Sequence, residues 1–262
     1  MKSFLRLCCL PATLLMFLDA CTVQDHQPST PNCQIRTLDI LEKSSFWEVR
    51  NKDEIFELDG QQIPIGKARS YSYQFDEQNR LIERQYYRFI GSTVDQRTTY
   101  EYSPTAVTRK VYNFGSPEPV AVDVFPVNER GLWARTGLSY DSEGYLIEDT
   151  NESGTTNYII ENGNVVRIEY RSTPGGAVNS YRTFAYNLSK PNIGYVEPEF
   201  MGKASRNLLI QEEDHAGDGS VTSRVDYHYL FDSEGRPTRR YTDFVENGNT
   251  YYTILDFTIT CR

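Results

Sequence analysis

One short motif occurs three times in the sequence: an aromatic residue, an Asp, two variable positions and then Gly or Asn. The copies span residues 73–81, 138–146 and 229–237, and weaker copies lie at residues 125–132 and 160–165. Each copy predicts a β-hairpin, because the aromatic side chain ends a strand on its buried face, the Asp caps the turn, and Gly or Asn adopts the left-handed conformation. The predicted turn residues are Asp76 and Asn79, Asp141 and Gly144, and Asp232 and Gly235.

Between these turns, aromatic and aliphatic residues alternate with polar ones. This period of two is typical of strands with one buried and one wetted face, and no stretch shows a sustained helical period. The segment with Val225, Tyr227, Tyr229 and Phe231 on one face is an example. Successive hairpins favour an antiparallel meander. The sequence therefore predicts a single all-β domain over residues 33–262. We expect an antiparallel sheet that is twisted and curved, and a partly open barrel is the alternative in which the sheet curves further.

Residues 1–20 have the form of a secretory signal. Positive residues precede an apolar stretch at residues 7–18, which is too short to span a bilayer. The Leu-Asp-Ala that follows, together with Cys21, resembles the lipobox of bacterial lipoproteins. The resemblance implies a lipid on Cys21, a flexible tether over residues 21–32 and a location in the cell envelope at the outer membrane, on either face. An ordinary signal peptide or a buried apolar helix is the alternative.

The five cysteines divide according to this processing. Cys8 and Cys9 leave with the signal, and Cys21 carries the lipid. Cys33 and Cys261 remain at the two ends of the folded domain, and an oxidising compartment favours a disulfide between them. Two free thiols are the alternative. A catalytic thiol is disfavoured, because the sequence has no Cys/His signature.

The charge balance excludes one class of partner. The chain has 27 Lys and Arg against 36 Asp and Glu, a formal net charge of -9, so nothing in the composition favours binding to a phosphate backbone, and we expect no nucleic-acid partner. The chain has 3 histidines and no zinc-protease, serine-hydrolase or phosphate-loop motif. The sequence therefore predicts no metal, no cofactor and no catalytic residues.

The aromatic-Asp-x-x-Gly hairpins resemble the YD repeats of RHS-type proteins, although they are not in tight tandem here. A closer resemblance is to secreted lipoproteins of Bacteroidota that are described as a domain of unknown function. It depends on the order of the hairpins, a middle segment at residues 187–192 and 200–207, the late hairpin at residues 231–236 and a final strand. The resemblance implies an all-β fold and an envelope location, and it supplies no catalytic residues.

An acidic segment at residues 211–219 is a candidate metal site. Its carboxylates offer the oxygen ligands that Ca²⁺ prefers, but their spacing differs from that of an EF-hand, and a solvated hairpin loop explains the same residues. His215 and His228 would meet across this hairpin, or lie separately on the surface and on a sheet face.

Residues 190–203 form the longest irregular segment, and such segments are often functional. Their larger apolar side chains line the mouth of a pocket or pack on the core as a lid. These side chains are Tyr195, Phe200 and Met201.

The leading functional hypothesis is non-catalytic binding by a curved sheet face, with a membrane partner through the lipid anchor and a glycan, small molecule or protein as ligand. The first alternative is a carboxylate-dependent hydrolase of envelope or external polysaccharide, which needs two acids across one cleft and a raised pKa on one of them. The second is a structural or assembly role, which needs an open edge strand.

Overall fold

The computed structural model describes residues 33–43, 54–58, 60–88, 94–192, 196–246 and 249–261. The predicted signal, the lipidation site Cys21 and the tether lie outside these ranges. The described ranges contain sixteen strands and one 3₁₀ turn, Glu199–Met201. The strands are Cys33–Lys43 (β1), Glu54–Leu58 (β2), Gln61–Phe75 (β3), Leu81–Tyr87 (β4), Gln96–Tyr102 (β5), Ala106–Asn113 (β6), Ala121–Pro126 (β7), Leu138–Tyr140 (β8), Leu146–Asn151 (β9), Gly154–Glu161 (β10), Asn164–Arg171 (β11), Ser180–Pro191 (β12), Asn207–Ala216 (β13), Val221–Phe231 (β14), Pro237–Glu246 (β15) and Asn249–Cys261 (β16).

The strands form one antiparallel sheet, which confirms the predicted fold class. Its order is β7-β6-β5-β4-β3-β1-β16-β15-β14-β13-β12-β11-β10-β9-β8, and β2 pairs with β3 beside this path. Each wing of the sheet is a meander of sequential hairpins. The first strand lies in the middle of the sheet, between β3 and β16, so the amino-terminal and carboxy-terminal strands join the two wings.

The sheet is strongly curved, because its two edge strands are sequence neighbours. The backbone N–H of Ala134 donates to the carbonyl of Pro126 at the end of β7, and β8 begins at Leu138, four positions after Ala134. Four residues span at most about 14 Å, so Leu138 lies within about 20 Å of Pro126. In the described residues no ladder joins β7 to β8. The sheet therefore curls round a concave inner face without closing.

The predicted hairpin turns share one geometry. In each turn, Oδ1 of the Asp accepts hydrogen bonds from the backbone N–H groups of the residues two and four positions later. At Asp141 the donors are the N–H groups of Glu143 and Tyr145, both 2.9 Å from Oδ1. The fifth motif position, Gly or Asn, has the left-handed conformation, with φ of 65° at Asn79, 102° at Gly144 and 76° at Gly235. The turns Asp76–Asn79 and Asp232–Gly235 add an ion pair from the following Arg to the same Asp, at 2.7 Å in both.

The weaker motif copy at residues 125–132 folds into the same turn with Asn in place of Asp. Oδ1 of Asn128 accepts from the backbone N–H of Arg130 at 2.9 Å and of Leu132 at 3.1 Å. Gly131 supplies the left-handed position, with φ of 75°. An amide oxygen and a carboxylate oxygen accept the same two hydrogen bonds, so the turn geometry tolerates the exchange.

The hydrophobic core occupies both faces of the sheet. The larger cluster fills the concave side of the β3–β7 wing and has Ile35, Tyr73, Leu81, Tyr100, Val107 and Phe200 as its buried members. A smaller cluster lies on the opposite face, where β2 and the start of β3 cover the sheet, and comprises Leu41, Phe56, Ile63, Ile65 and Ile254.

The structure confirms the predicted disulfide. Cys33 and Cys261 are direct partners in the β1–β16 ladder, and their Cα atoms are 4.0 Å apart. The bond joins positions separated by 228 residues.

We expect replacement of both disulfide cysteines by Ser to lower the free energy of unfolding by about 3–5 kcal/mol, because the chain-entropy model gives about 5 kcal/mol for so long a loop. Urea unfolding followed by Trp fluorescence measures the change. Reduction of the wild-type chain should reproduce the loss, and an unchanged urea midpoint in both experiments would contradict the expectation.

We expect Asp141→Ala to cost about 1–2 kcal/mol of stability, because three turn N–H groups lose their acceptor. Asp141→Asn is the matched control, since its amide oxygen still accepts, and it should lose less than half as much. Equal losses in thermal unfolding would show that the carboxylate charge, not the hydrogen bonds, stabilises this turn.

Candidate functional site

Residues 196–206 cross the concave face and are called the strap here. The strap is held by backbone hydrogen bonds to three separate turns and loops. Phe200 accepts from the N–H of Trp133 at 2.8 Å, the N–H of Lys203 donates to Gly144 at 3.0 Å, and the N–H of Arg206 donates to Gly163 at 2.8 Å. Because these bonds involve main-chain atoms, the position of the strap depends on the hairpin turns more than on its own side chains.

Phe200 anchors the strap in the core of the β3–β7 wing. Its ring lies 5.1 Å from Phe125 and 6.5 Å from Tyr100, and only 3% of the residue is exposed. The interpretation of this segment as a lid that packs on the core is correct at Phe200. Met201, the next residue, is 38% exposed and lines a cavity, as the pocket-mouth interpretation requires. Tyr195 lies outside the described residues.

On one side of the strap lies a cavity of about 660 Å³, called the charged cavity here. Three hairpin turns border it, those that begin at Asp76, Asn128 and Asp141. Apolar walls come from Tyr102, Val107 and Leu132. Three cations and three carboxylates line it: Arg80, Arg130, Lys203, Glu143, Glu197 and Glu199.

The protein itself already engages part of this charge. The Arg80 guanidinium pairs with Asp76 at 2.7 Å and stacks over the Tyr102 ring at 4.4 Å. Arg130 donates to the backbone carbonyls of Asp141 and Ser142. These arginines therefore hold the turns together as well as facing the cavity.

Glu199 is the acid with the clearest electrostatic perturbation in the charged cavity. Burial raises the pKa of its carboxyl group, the nearby Asp76 carboxylate raises it further, and Arg80 acts in the opposite direction. A carboxyl group with a raised pKa retains its proton at higher pH than an exposed one and can then donate a hydrogen bond or a proton.

On the other side of the strap lies a cavity of about 540 Å³, called the aromatic cavity here. The concave face of β9 to β15 forms its floor, and the strap forms one wall. Four rings line it: Tyr158, Phe184, Tyr186 and Tyr229. Aliphatic side chains fill the spaces between the rings, among them Leu146, Val165, Ile168 and Leu209. Such a lining suits an apolar ligand.

Most polar groups in the aromatic cavity are bonded to other protein groups. The Tyr186 hydroxyl donates to the carbonyl of Val165 at 2.7 Å, and the backbone N–H of Val165 donates to Ser205 Oγ at 3.0 Å. The Asn207 amide donates to Leu188 at 3.0 Å and accepts from Asn164 at 3.0 Å. These groups shape the cavity and have little remaining capacity to bind a ligand.

Arg240 differs from these groups. Its Nε is buried and has no hydrogen-bond partner, and among the described side chains it forms no ion pair. The guanidinium stacks over the Tyr227 ring at 5.0 Å and lies beside the Tyr229 hydroxyl, where it opposes the rise in the Tyr229 pKa that burial causes. Arg240 thus places a cation on the floor of the aromatic cavity, and none of the described carboxylates pairs with it, while the strap adds one further charge of each sign to the lining, Lys203 and Glu197.

The preceding residue, Arg239, shows the opposite situation. It points to the other face of the strand and pairs with Asp256 at 2.5 Å and with Glu54 at 2.5 Å. The sequence analysis did not identify Arg240. Its signal is the pair of adjacent arginines in a strand, because successive side chains point to opposite faces and one of them must face inward.

The structure does not bring the other sequence candidates together as sites. Residues 211–216 belong to β13 rather than to a loop, and their acids pair across strands, as Asp214 does with Arg182 at 2.7 Å. His215 stacks on Tyr181 at 4.4 Å and His228 on Tyr241 at 4.8 Å. His215 is the ladder partner of Val221, seven residues from His228. The two rings are therefore roughly 20 Å apart.

Within the described ranges, no three His, Cys, Asp or Glu side chains group together as metal ligands. In the same part of the chain, no helix has the length and hydropathy needed to cross a membrane.

Comparison of the sequence with protein-family models and with curated proteins gives no match. Comparison with solved structures finds a porin-like protein from Bacteroides uniformis, at 14% identity and a TM-score of 0.42. The match covers 86% of this chain and 98% of that one. A superposition at this score is too loose to support an inference about fold or function.

We expect Glu199→Gln to stabilise the protein at neutral pH and to lose that advantage in acid. Because the folded-state pKa is raised, the folded chain binds more protons than the unfolded chain between the ordinary value of 4.5 and the raised one, so stability falls as pH rises through this interval. The difference in Tm between the variant and wild type should be positive at pH 7 and approach zero below pH ~4. A difference that is independent of pH would contradict this assignment.

Proposed function

We propose that this chain is a cell-envelope lipoprotein that binds a ligand, without catalysis, on the concave face of its curved sheet. The observation that carries the proposal is the pair of cavities, about 660 and 540 Å³, that remain open on the two sides of the strap. Both volumes lie in the range of small-molecule sites. The core cluster around Phe200 fills the concave side of the β3–β7 wing, and the two cavities beside the strap remain open for a ligand.

The anchoring part of the proposal comes from the sequence alone. Its basis is the positive and apolar segment before Cys21, followed by a polar tether. A tether of this kind would hold the sheet near a membrane and leave both cavities accessible.

Ala204 offers a direct test, because its side chain lines both cavities. Ala204→Phe should fill part of each cavity, whereas Ala185→Phe, on an exposed strand position, leaves both unchanged. We would screen the full-length chain by thermal shift against oligosaccharides, apolar acids and apolar amides. A ligand at 100 times its Kd should raise Tm by about 5–10 °C.

We expect at least one class of compound to raise the Tm of wild type and of Ala185→Phe, but not that of Ala204→Phe. A flat response over the whole panel, or an equal response in both variants, would overturn binding in these cavities.

A hydrolase is the second candidate, favoured by the three acids around the charged cavity and by the raised pKa of Glu199. Retaining and inverting glycosidases both use two carboxyl groups across a cleft. Release of new reducing ends from a polysaccharide by wild type, and its loss in Glu199→Gln, would establish this function in place of the first.

An assembly role is the third candidate, favoured by the edge strand β7. On its outer face Val120, Val122 and Val124 are 57%, 54% and 62% exposed. An exposed apolar edge is a surface to which a partner strand can add.

A further inference from the structure

We infer that the aromatic cavity binds a small apolar acid, with its carboxylate paired to Arg240. This inference depends on the proposed ligand binding and specifies the ligand for one of the two cavities. It combines the ring-lined volume of about 540 Å³ with Arg240, the cation on its floor; the other cation of the lining, Lys203, belongs to the strap.

The body of the ligand follows from the walls. Rings from Tyr158, Phe184, Tyr186 and Tyr229 surround a space whose polar groups are mostly bonded to protein. An oligosaccharide would bring many hydroxyl groups into this space and leave them without partners, which is costly in a buried site. An aromatic or aliphatic body has no such cost and gains from leaving water.

The charge of the ligand follows from Arg240. A guanidinium presents its donors in a planar fork that matches a carboxylate, and a buried N–H without an acceptor, such as the Nε of Arg240, is unfavourable. In the described residues the protein supplies that counter-ion to Arg239, through Asp256 and Glu54, and not to Arg240. A ligand carboxylate would complete the pair.

The number of charges follows from the charges of the lining. The strap contributes Glu197 and Lys203, which have opposite signs, and the floor contributes Arg240. Two cations and one carboxylate leave one positive charge to be balanced, so the cavity favours a monocarboxylate over a dicarboxylate.

The test uses three acids and their primary amides: 2-naphthoic acid, 4-phenylbutyric acid and decanoic acid. Each amide keeps the apolar body and removes the charge. Calorimetric titration of the full-length chain gives Kd for each compound. We expect at least one acid to bind about tenfold or more tightly than its amide, the range for a hydrogen-bonded charge pair.

Two neighbouring arginines provide the variant and its matched control. Arg240→Gln should bring the ratio of amide Kd to acid Kd close to one, and Arg240→Lys should restore part of it. Arg239→Gln removes a cation from the opposite face of the same strand, and it should leave the ratio unchanged. Circular dichroism at the titration temperature checks that each variant is folded.

The remaining outcomes separate this inference from the proposed function. Equal binding of acids and amides by wild type would overturn the role of charge, while binding in the cavity would stand. An acid preference that survives Arg240→Gln would overturn the assignment to Arg240. If none of the six compounds binds, the inference fails, and the wider panel with Ala204→Phe decides whether the cavities bind anything else.

Discussion

The pairing of β1 with β16 is the constraint on which the rest of the structure depends. In the described sheet the two wings meet only at this ladder, which joins the beginning and the end of the domain over eight residue pairs from Cys33–Cys261 to Leu41–Ile254. The disulfide closes one end of the ladder. Such long-range pairing has a high entropic cost before any contact forms. The covalent link reduces that cost by restricting the unfolded chain.

Curvature and the strap follow from this closure. Both wings grow outward from the centre, and the short segment between β7 and β8 brings their outermost strands close together, so the sheet has to curve. Trp133, Gly144 and Gly163 then bind the strap through the main chain. Phe200 packs into the core cluster of the β3–β7 wing. Among the residues after it, Gly202, Ala204 and Ser205 have small side chains, and the concave face of the other wing stays open as the aromatic cavity.

The arginines of the sheet divide into two groups. Arg109, Arg182 and Arg239 each face an Asp directly across a ladder, and these pairs help to specify strand register although each contributes little stability. Arg240 faces Tyr229 and Leu255 instead. Within the described part of the sheet, Arg240 therefore forms no cross-strand ion pair that would specify register, and its guanidinium stacks over the Tyr227 ring on the concave face.

The sequence by itself predicted the all-β fold, the three hairpin turns and the favoured pairing of Cys33 with Cys261, but it left free thiols open as an alternative and assigned residues 211–216 of β13 to a loop. Alternation along Val225 to Phe231 and the Asp-x-x-Gly motifs are local signals, because side-chain direction in a strand and the hydrogen bonds of a turn involve residues close in the chain. The weaker motif copy at residues 125–132 was also predicted from the sequence, and its turn forms around Asn128. Only the tertiary structure decided that β1 pairs with β16, that Phe200 packs while Met201 lines a cavity, and that Arg240 rather than Arg239 faces inward. These outcomes depend on which distant strands meet and how the sheet curls, and no local pattern encodes the sum of those long-range contacts.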